Sequence, residues 1–269
     1  MKHFVKVLLA ESYKQHRNYF NNRLIYVSLF LWPILSFMSS YYSYKAFDVE
    51  GSAVSYINGG NMLVFLLIGY MGMSFFRSVV QSAWRFSEER QSGTLEYIYL
   101  SPASRVAVLI GNALSSVFES SVAMLVFGMM IIFYNNASLN VNMIGVAVVV
   151  PIFVVMALFW GVFINACFLY SRDTDFLFTI LEEPMEIFAG VKVPVNIFPN
   201  WARLISCIFP LTYALEALRR VTLSASGISD LKNIVVISLI IILVLLAATL
   251  ITIHIVEKHM RKTGNIVLF

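Results

Sequence analysis

Charge is scarce in this sequence. Asp, Glu, Lys and Arg make up 13% of its 269 residues, against about 25% in an average soluble domain. Hydrophobic residues make up 59%. A soluble chain of this length could not hide that much apolar surface behind a polar exterior, and a bilayer removes the need to. Cysteine is nearly absent. Cys167 and Cys207 sit in apolar stretches, which excludes a disulfide framework or metal-ligand spacing and suggests two small buried hydrophobes. The four histidines, His3, His16, His254 and His259, form no cluster. There is no His-Glu-x-x-His helix, no Gly-x-Ser-x-Gly elbow and no glycine-rich loop ending in Gly-Lys-Ser/Thr, so no catalytic or metal residue is assigned. The net charge of +4 is too small and dispersed to suggest a nucleic-acid partner. A cleavable leader is not expected either, because Lys2, Lys6, Lys14, Arg17 and Arg23 are spread along the first residues and not gathered in a short basic head.

What the chain has in quantity is long apolar runs. A membrane-crossing helix needs roughly 20 mostly apolar residues. Six stretches qualify: Leu24–Tyr44, a second within Ser55–Phe76, Val106–Tyr134, Met143–Tyr170, a weaker fifth at about Phe176–Val191, and Ile234–Val256. The expected fold is an all-α integral membrane domain spanning 1–269. Residues 192–230 are too polar and proline-broken for a simple span, yet too apolar for an ordinary loop. Short helices re-entering the outer leaflet fit them, since irregular backbone survives at membrane depth only under protein or in a wet cavity.

Orientation follows from Lys and Arg. With the N-terminus inside, thirteen of the 19 fall on the inner side, Arg77 and Arg85 among them. Both termini are therefore expected in the cytoplasm, with the protein in the plasma (inner) membrane. Residues 1–23 hold an expected interfacial helix. Phe4, Val5, Leu8 and Leu9 share a face there, apart from Lys2, Lys6 and Lys14.

Four carboxylates lie where lipid would penalise them. Glu119 is flanked by Ser115, Ser116, Ser120 and Ser121. It could line a translocation path, but packing with hydrogen bonds from these serines is the simpler reading. Glu182, Glu183 and Glu186 have i, i+3 and i+4 spacing, which puts them on one side of the fifth helix. They could attract cations along an export route, or form buried bonds to the re-entrant segment, with Arg203 or Arg219 as partners. Trp201, Tyr213 and the other aromatics are read as interfacial belt or packing residues.

Phe86–Pro102 joins the second and third spans. Glu88, Glu89 and Arg90 should stay wet. Gly93 permits a sharp turn, Thr94 can cap a new helix, Leu95, Ile98 and Tyr99 give it an apolar face, and Pro102 ends it. Such a plug suits a socket on a partner. The run Glu89-Arg90-Gln91-Ser92-Gly93-Thr94-Leu95-Glu96, then Ser101-Pro102, resembles the cytoplasmic signature of ABC type-2 exporter permeases. A second stretch resembles that family's outer region: Phe188-Ala189-Gly190-Val191-Lys192-Val193-Pro194, then Phe198-Pro199-Asn200-Trp201, then Pro210-Leu211-Thr212-Tyr213 through Arg219. The two are in order and in register over most of the chain. The resemblance implies a coupling helix at 86–102 that docks on an ABC ATPase subunit. It also implies a dimer with a second copy or paralogue, alternating access, and outward movement of a drug-, peptide- or lipid-like substrate. ATP and Mg would then be bound by the partner ATPase and no cofactor by this chain. The rival reading is a secondary transporter or channel using the intramembrane carboxylates. An intramembrane enzyme would need a nucleophile–base pair or metal ligands, which are not visible.

The topology is directly testable. With Cys167 and Cys207 replaced, a cysteine at Ser92 should resist membrane-impermeant thiol reagents in intact cells and one at Ser226 should react. Labelling at Ser92 alone would reverse the orientation.

Overall fold

The computed structural model describes residues 2–19, scattered positions between 27 and 42, and residues 62–134, 141–170, 179–223 and 228–263. All regular structure among them is helical. In chain order the helices are α1 (Lys2–Tyr19), α2 (Met62–Gln91), α3 (Thr94–Leu100), α4 (Arg105–Tyr134), α5 (Met143–Tyr170) and α6 (Glu183–Phe188). A 3-10 turn at Val195–Ile197 follows, then α7 (Asn200–Ser206), α8 (Pro210–Leu223) and α9 (Ile228–Thr263). A helix satisfies its own backbone, and that is why apolar runs of this length adopt it in lipid.

Four of these helices hold stretches long and apolar enough to cross a membrane: Met62–Arg85, Arg105–Ile132, Met143–Phe168 and Leu231–Val256. The pair α7 and α8, bent by 94°, together pass the same test as a broken span or re-entrant loop. Short helices are expected within residues 192–230, and two lie there; their bend fits a broken span as well as the expected re-entry. Most of the expected first span, Leu24–Tyr44, lies outside the described residues. Its described positions are helical, and Phe37 packs edge-on against Tyr70 of α2, 6.2 Å between centroids. The expected fifth span is not one continuous helix where it is described. The chain is helical at 179–181, turns at Glu182 and restarts as α6, with Pro184 in its first turn. Proline has no N–H to bond the preceding turn, so it belongs at a helix start.

The second span differs in length from expectation. Its apolar run stops at Phe76, but α2 continues to Gln91 and carries Arg77 and Arg85 within the membrane-length stretch. Both arginines therefore leave the loop tally, as does buried Arg219 from the outer side; the remaining bias keeps its sign. α2 is the axis of the bundle and packs against α3, α4, α5 and α8. Five consecutive residues, Val64 to Ile68, are each 2% exposed or less, the mark of a helix covered on all sides. α9 is the opposite case. Leu239, Ile240, Leu243, Val244, Leu250 and Ile251 are exposed, as a lipid-facing helix requires.

α1 lies along the first turns of α4 and runs in the same direction. His3 Nε2 is 3.4 Å from the Pro102 carbonyl, and His16 meets Phe118 edge-on at 6.0 Å. A Cβ on Gly111 would stand 2.7 Å from the Leu8 carbonyl oxygen. The expected single apolar face of α1 is divided. Phe4 and Leu8 are half-buried, whereas Val5, Leu9 and Tyr13 are exposed in an i, i+4, i+8 stripe. One side serves the protein, and the other is exposed.

Close approach of α2 and α5 depends on Gly161. A Cβ there would overlap Val79 Cγ1 and come within 3.2 Å of the Val79 carbonyl oxygen, while Gly128 has nothing within 4 Å. Gly161→Ala and Gly128→Ala both relieve a helix-propensity penalty of about 1 kcal/mol. Only the first overpacks an interface, at a typical cost of about 1–3 kcal/mol. Thermal unfolding in detergent should show Gly161→Ala less stable than wild type and Gly128→Ala at least as stable. Equal melting temperatures for the two variants would contradict this packing.

Candidate functional site

The loop from α2 to α4 is held by its own hydroxyls. Ser92 Oγ donates to the carbonyls of Glu88 (2.8 Å) and Glu89 (3.2 Å), and Thr94 Oγ1 donates to Glu89 (3.1 Å). The Glu88 carbonyl also takes the Ser92 N–H at 2.9 Å, and the two hydroxyls meet the Glu89 carbonyl at the end of the helix. Gly93 takes the left-handed conformation, φ +72°, where a side chain would be strained. The N-cap of α3 is Gly93, with no side-chain cap. Thr94 is therefore not the cap expected of it; it is the first helical residue, and its hydroxyl closes the preceding helix instead. α3 ends at Ser101, whose N–H reaches the carbonyls of Tyr97 (3.1 Å) and Ile98 (3.3 Å), immediately before Pro102.

Of the expected apolar face of α3, only the Ile98 side chain is described. Ile98 is half-buried and packs on the core, while Tyr97 and Leu100 are 75% and 73% exposed. The side chains of Arg90, Leu95, Glu96 and Tyr99 lie outside the described residues. Spacing alone grouped Leu95, Ile98 and Tyr99 as one face, but which side of a short helix looks outward depends on its tilt against α2, and spacing does not carry that. Tyr97 and Leu100, three apart and both apolar, were a legible alternative face.

Glu88 stays exposed, as expected, but Glu89 does not. Its side chain is 13% exposed and takes Lys14 Nζ at 2.7 Å and Gln15 Nε2 at 2.7 Å. Glu11 receives the same two donors, Lys14 at 2.9 Å and Gln15 at 2.7 Å. Burial pushes the Glu11 carboxyl above its ordinary value, more than Lys14 and Gln15 draw it down. Burial alone would lower the Lys14 ammonium, but the charges and hydrogen bonds of Glu11 and Glu89 outweigh it and hold it above its ordinary value. This knot ties α1 to the end of α2 and floors a cleft of about 430 Å³ beside Thr94 and Ile98.

Deeper in the bundle, Arg85 of α2 donates to Ser115 Oγ (2.6 Å) and to Glu119 Oε2 (3.2 Å) of α4. Both charged residues are buried. Glu119 was expected to bond its neighbouring serines. Ser120 and Ser121 instead turn back to their own helix, at the carbonyls of Ser116 and Val117, and the partner comes from α2. Next to this pair, Asn112 Nδ2 donates to the Ser82 carbonyl (2.8 Å) and to Asn165 Oδ1 (2.9 Å), and Asn165 Nδ2 donates to Ser82 Oγ (2.9 Å). The triangle joins α2, α4 and α5. Neither asparagine was anticipated, although an amide inside an apolar run is itself a signal.

Midway along α2, at Arg77, the acidic trio is divided. Glu182 is buried against Arg77 Nε, Glu186 takes Arg77 at 3.0 Å and Lys192 at 2.8 Å, and Glu183 is exposed. Glu182 and Glu186 do share a side, one helical turn apart with the Glu186 N–H on the Glu182 carbonyl at 3.2 Å, and both meet Arg77; only Glu183 departs from the expected common face. The trio's partners are Arg77 and Lys192, not Arg203 or Arg219. Arg219 has other work. It donates to the carbonyls of Gly190 (2.6 Å), Val191 (3.0 Å) and Phe65 (3.2 Å), and stacks 3.5 Å over the Phe65 ring. Gly190 is left-handed, φ +82°. The rest of the outer motif frames the breaks: Pro194 precedes the 3-10 turn, Pro199 precedes α7 and Pro210 opens α8. Phe188 meets Phe198 and Trp201 edge-on, and Tyr213 donates to the Cys207 carbonyl at 3.4 Å. Between α7 and α8 is a cleft of about 500 Å³. Cys207 lines it and is exposed, while Cys167 is half-buried and both thiols are free; burial was expected of both.

A family model described as an ABC-2 family transporter protein matches residues 12–251. The curated proteins give no match.

The Arg85–Glu119 pair makes a prediction in two parts. Removing one partner of a buried ion pair strands a charge and costs about 3–5 kcal/mol, while apolar replacement of both is often near neutral. Arg85→Met alone should therefore lower the melting temperature sharply, and Arg85→Met with Glu119→Leu should recover most of the loss. A double variant as unstable as the sum of the singles would show that the two side chains act independently.

Proposed function

The chain belongs to the ABC-2 transporter family and is a multi-pass membrane protein, and from that premise we propose that it is the permease of an ATP-driven exporter. A separate ATPase subunit binds and hydrolyses ATP with Mg. It docks on α3 in the cytosol, and its closure is passed to the membrane helices. The working unit is a dimer of this permease with a second copy or a paralogue. It sits in the plasma membrane with both termini inside, and its cargo is drug-, peptide- or lipid-like.

The observation that carries this reading is α3 itself. It stands at the turn between two helices of 30 residues each, α2 and α4, and presents Tyr97 and Leu100 outward. Large apolar side chains in such a position suit a partner's socket. The residual Lys and Arg bias supports placing that end in the cytosol. The carboxylates that an ion-coupled transporter would need are engaged. Glu119 is held by Arg85, and Glu182 and Glu186 by Arg77. That pairing favours a packing role for them.

Interface energy concentrates in a few buried aromatic or apolar anchors. Tyr97→Asp with Leu100→Asp would place two charges in the proposed contact. Desolvating each unpaired charge costs several kcal/mol, and about 1.4 kcal/mol is tenfold in affinity. Co-purification of the ATPase with the double variant should fall at least tenfold and export in vesicles should fail. Insertion and melting temperature should hold, because both side chains are exposed. Normal ATPase binding with wild-type transport would remove α3 from the coupling role.

A further inference from the structure

We propose that the cleft between α7 and α8 binds the headgroup of an acidic phospholipid, whose phosphate carries no compensating cation, in the leaflet on the side of the bundle away from α3. Three arginines line it, Arg203, Arg219 and Arg220, against one carboxylate, Glu216. Arg219 is committed to backbone carbonyls. The other two are exposed and lightly engaged. Among the described residues, Arg203 donates to the Asn196 carbonyl and Arg220 Nε donates to Glu216 Oε1 at 2.8 Å. A guanidinium carries five N–H donors in a planar fork, so most of the donors on Arg203 and Arg220 remain for a ligand. A fork of that kind matches the paired oxygens of a phosphate.

The lipid part of the inference comes from the surface beside the cleft. Arg203 lines the cleft, while Trp201, Leu204 and Ile208 are 62%, 73% and 67% exposed. Cationic cleft and apolar surface thus adjoin: Trp201 and Leu204 share α7 with Arg203, and Ile208 follows just after its end. A soluble anion would use only the arginines, and a neutral apolar molecule only the apolar surface. An acidic phospholipid uses both, with its phosphate in the cleft and its acyl chains along Leu204 and Ile208. A tryptophan such as Trp201 is typical at headgroup depth. The cleft volume of about 500 Å³ lies within the range of about 300–1,000 Å³ usual for small-ligand sites.

The experiment uses the purified full-length chain in neutral detergent. Its melting temperature is followed against short-chain phosphatidylglycerol, short-chain phosphatidylcholine and inorganic phosphate. Phosphatidylglycerol should stabilise saturably, and the other two weakly or not at all. Arg203→Gln with Arg220→Gln should weaken phosphatidylglycerol at least tenfold. Glu216→Gln, which removes the cleft's one carboxylate, should strengthen it, and this second variant keeps the test decisive if the arginine variant folds poorly. Equal stabilisation by phosphatidylcholine, or unchanged affinity in both variants, would overturn a charge-selective headgroup site. Inorganic phosphate saturating with the affinity of phosphatidylglycerol would overturn the lipid and leave a soluble-anion site.

Discussion

The guanidinium of Arg219 lets the chain break its helices inside the bundle. At Gly190 the backbone turns left-handed, and the carbonyls of Gly190 and Val191 lose the helical donors they would otherwise have. A buried carbonyl left unmet costs about 1–3 kcal/mol, and in lipid no water can replace the missing donor. Arg219 reaches both, together with the carbonyl of Phe65 and the face of its ring. The geometry needs room as well as donors. A Cβ on Gly69 would overlap the Val191 carbonyl and stand 2.9 Å from the Arg219 guanidinium, so a glycine lets the turn seat against α2. α6, the 3-10 turn, α7 and α8 all take their positions from this junction.

α2 carries further ties of this kind at successive depths. Phe65 meets Arg219, Arg77 meets Glu182 and Glu186, Arg85 meets Glu119, and Glu89 meets Lys14. At 1.5 Å per residue, Phe65 to Glu89 is about 36 Å, the thickness of a bilayer core and part of its headgroups. Each tie goes to a different partner element: α8, α6, α4 and α1. A buried ion pair adds little net stability over an apolar pair of the same volume. Its directional bonds do fix depth and rotation, which apolar contacts alone leave loose. α2 is thereby pinned along its whole length, from the turn at Gly190 to the turn at Gly93.

The long spans were legible because hydropathy scores each residue by itself, and twenty apolar residues in a row need no partner to identify them. The ties were illegible for the same reason. Arg77 and Arg85 read as loop residues because the carboxylates that meet them are 105 and 34 positions away, at Glu182 and Glu119. Asn112 and Asn165 find each other across 53 positions. The turn at Gly93, the helix after it and the stop near Pro102 were readable from local chemistry. The exposed face of α3 was not, since it depends on how that helix leans on α2. The acidic spacing was plain and put Glu182 and Glu186 together, but the Arg77 that meets them from α2 was not.

Directional contacts therefore divide the bundle unequally. Ion pairs, amide bonds and the hydrogen bonds of Arg219 join α1, α2, α4, α5, α6 and α8 into one connected set, through Lys14–Glu89, Arg85–Glu119, Arg77–Glu186, the Asn112–Asn165–Ser82 triangle and Arg219–Phe65. Among the described side chains, no ion pair or amide bond ties α9 to it. α9 packs on α5 and α8 through side chains such as Leu231, Ile234, Leu245 and Ile253, and the hydroxyls of Thr249 and Thr252 return to its own carbonyls at Leu245 and Ala248. Apolar contacts are non-directional and can be exchanged for equivalent ones or for lipid. Among the described helices, the contact of α9 with α5 and α8 is made by apolar side chains and can therefore shift at lower cost than the joints of α2, whose buried charges would lose their partners.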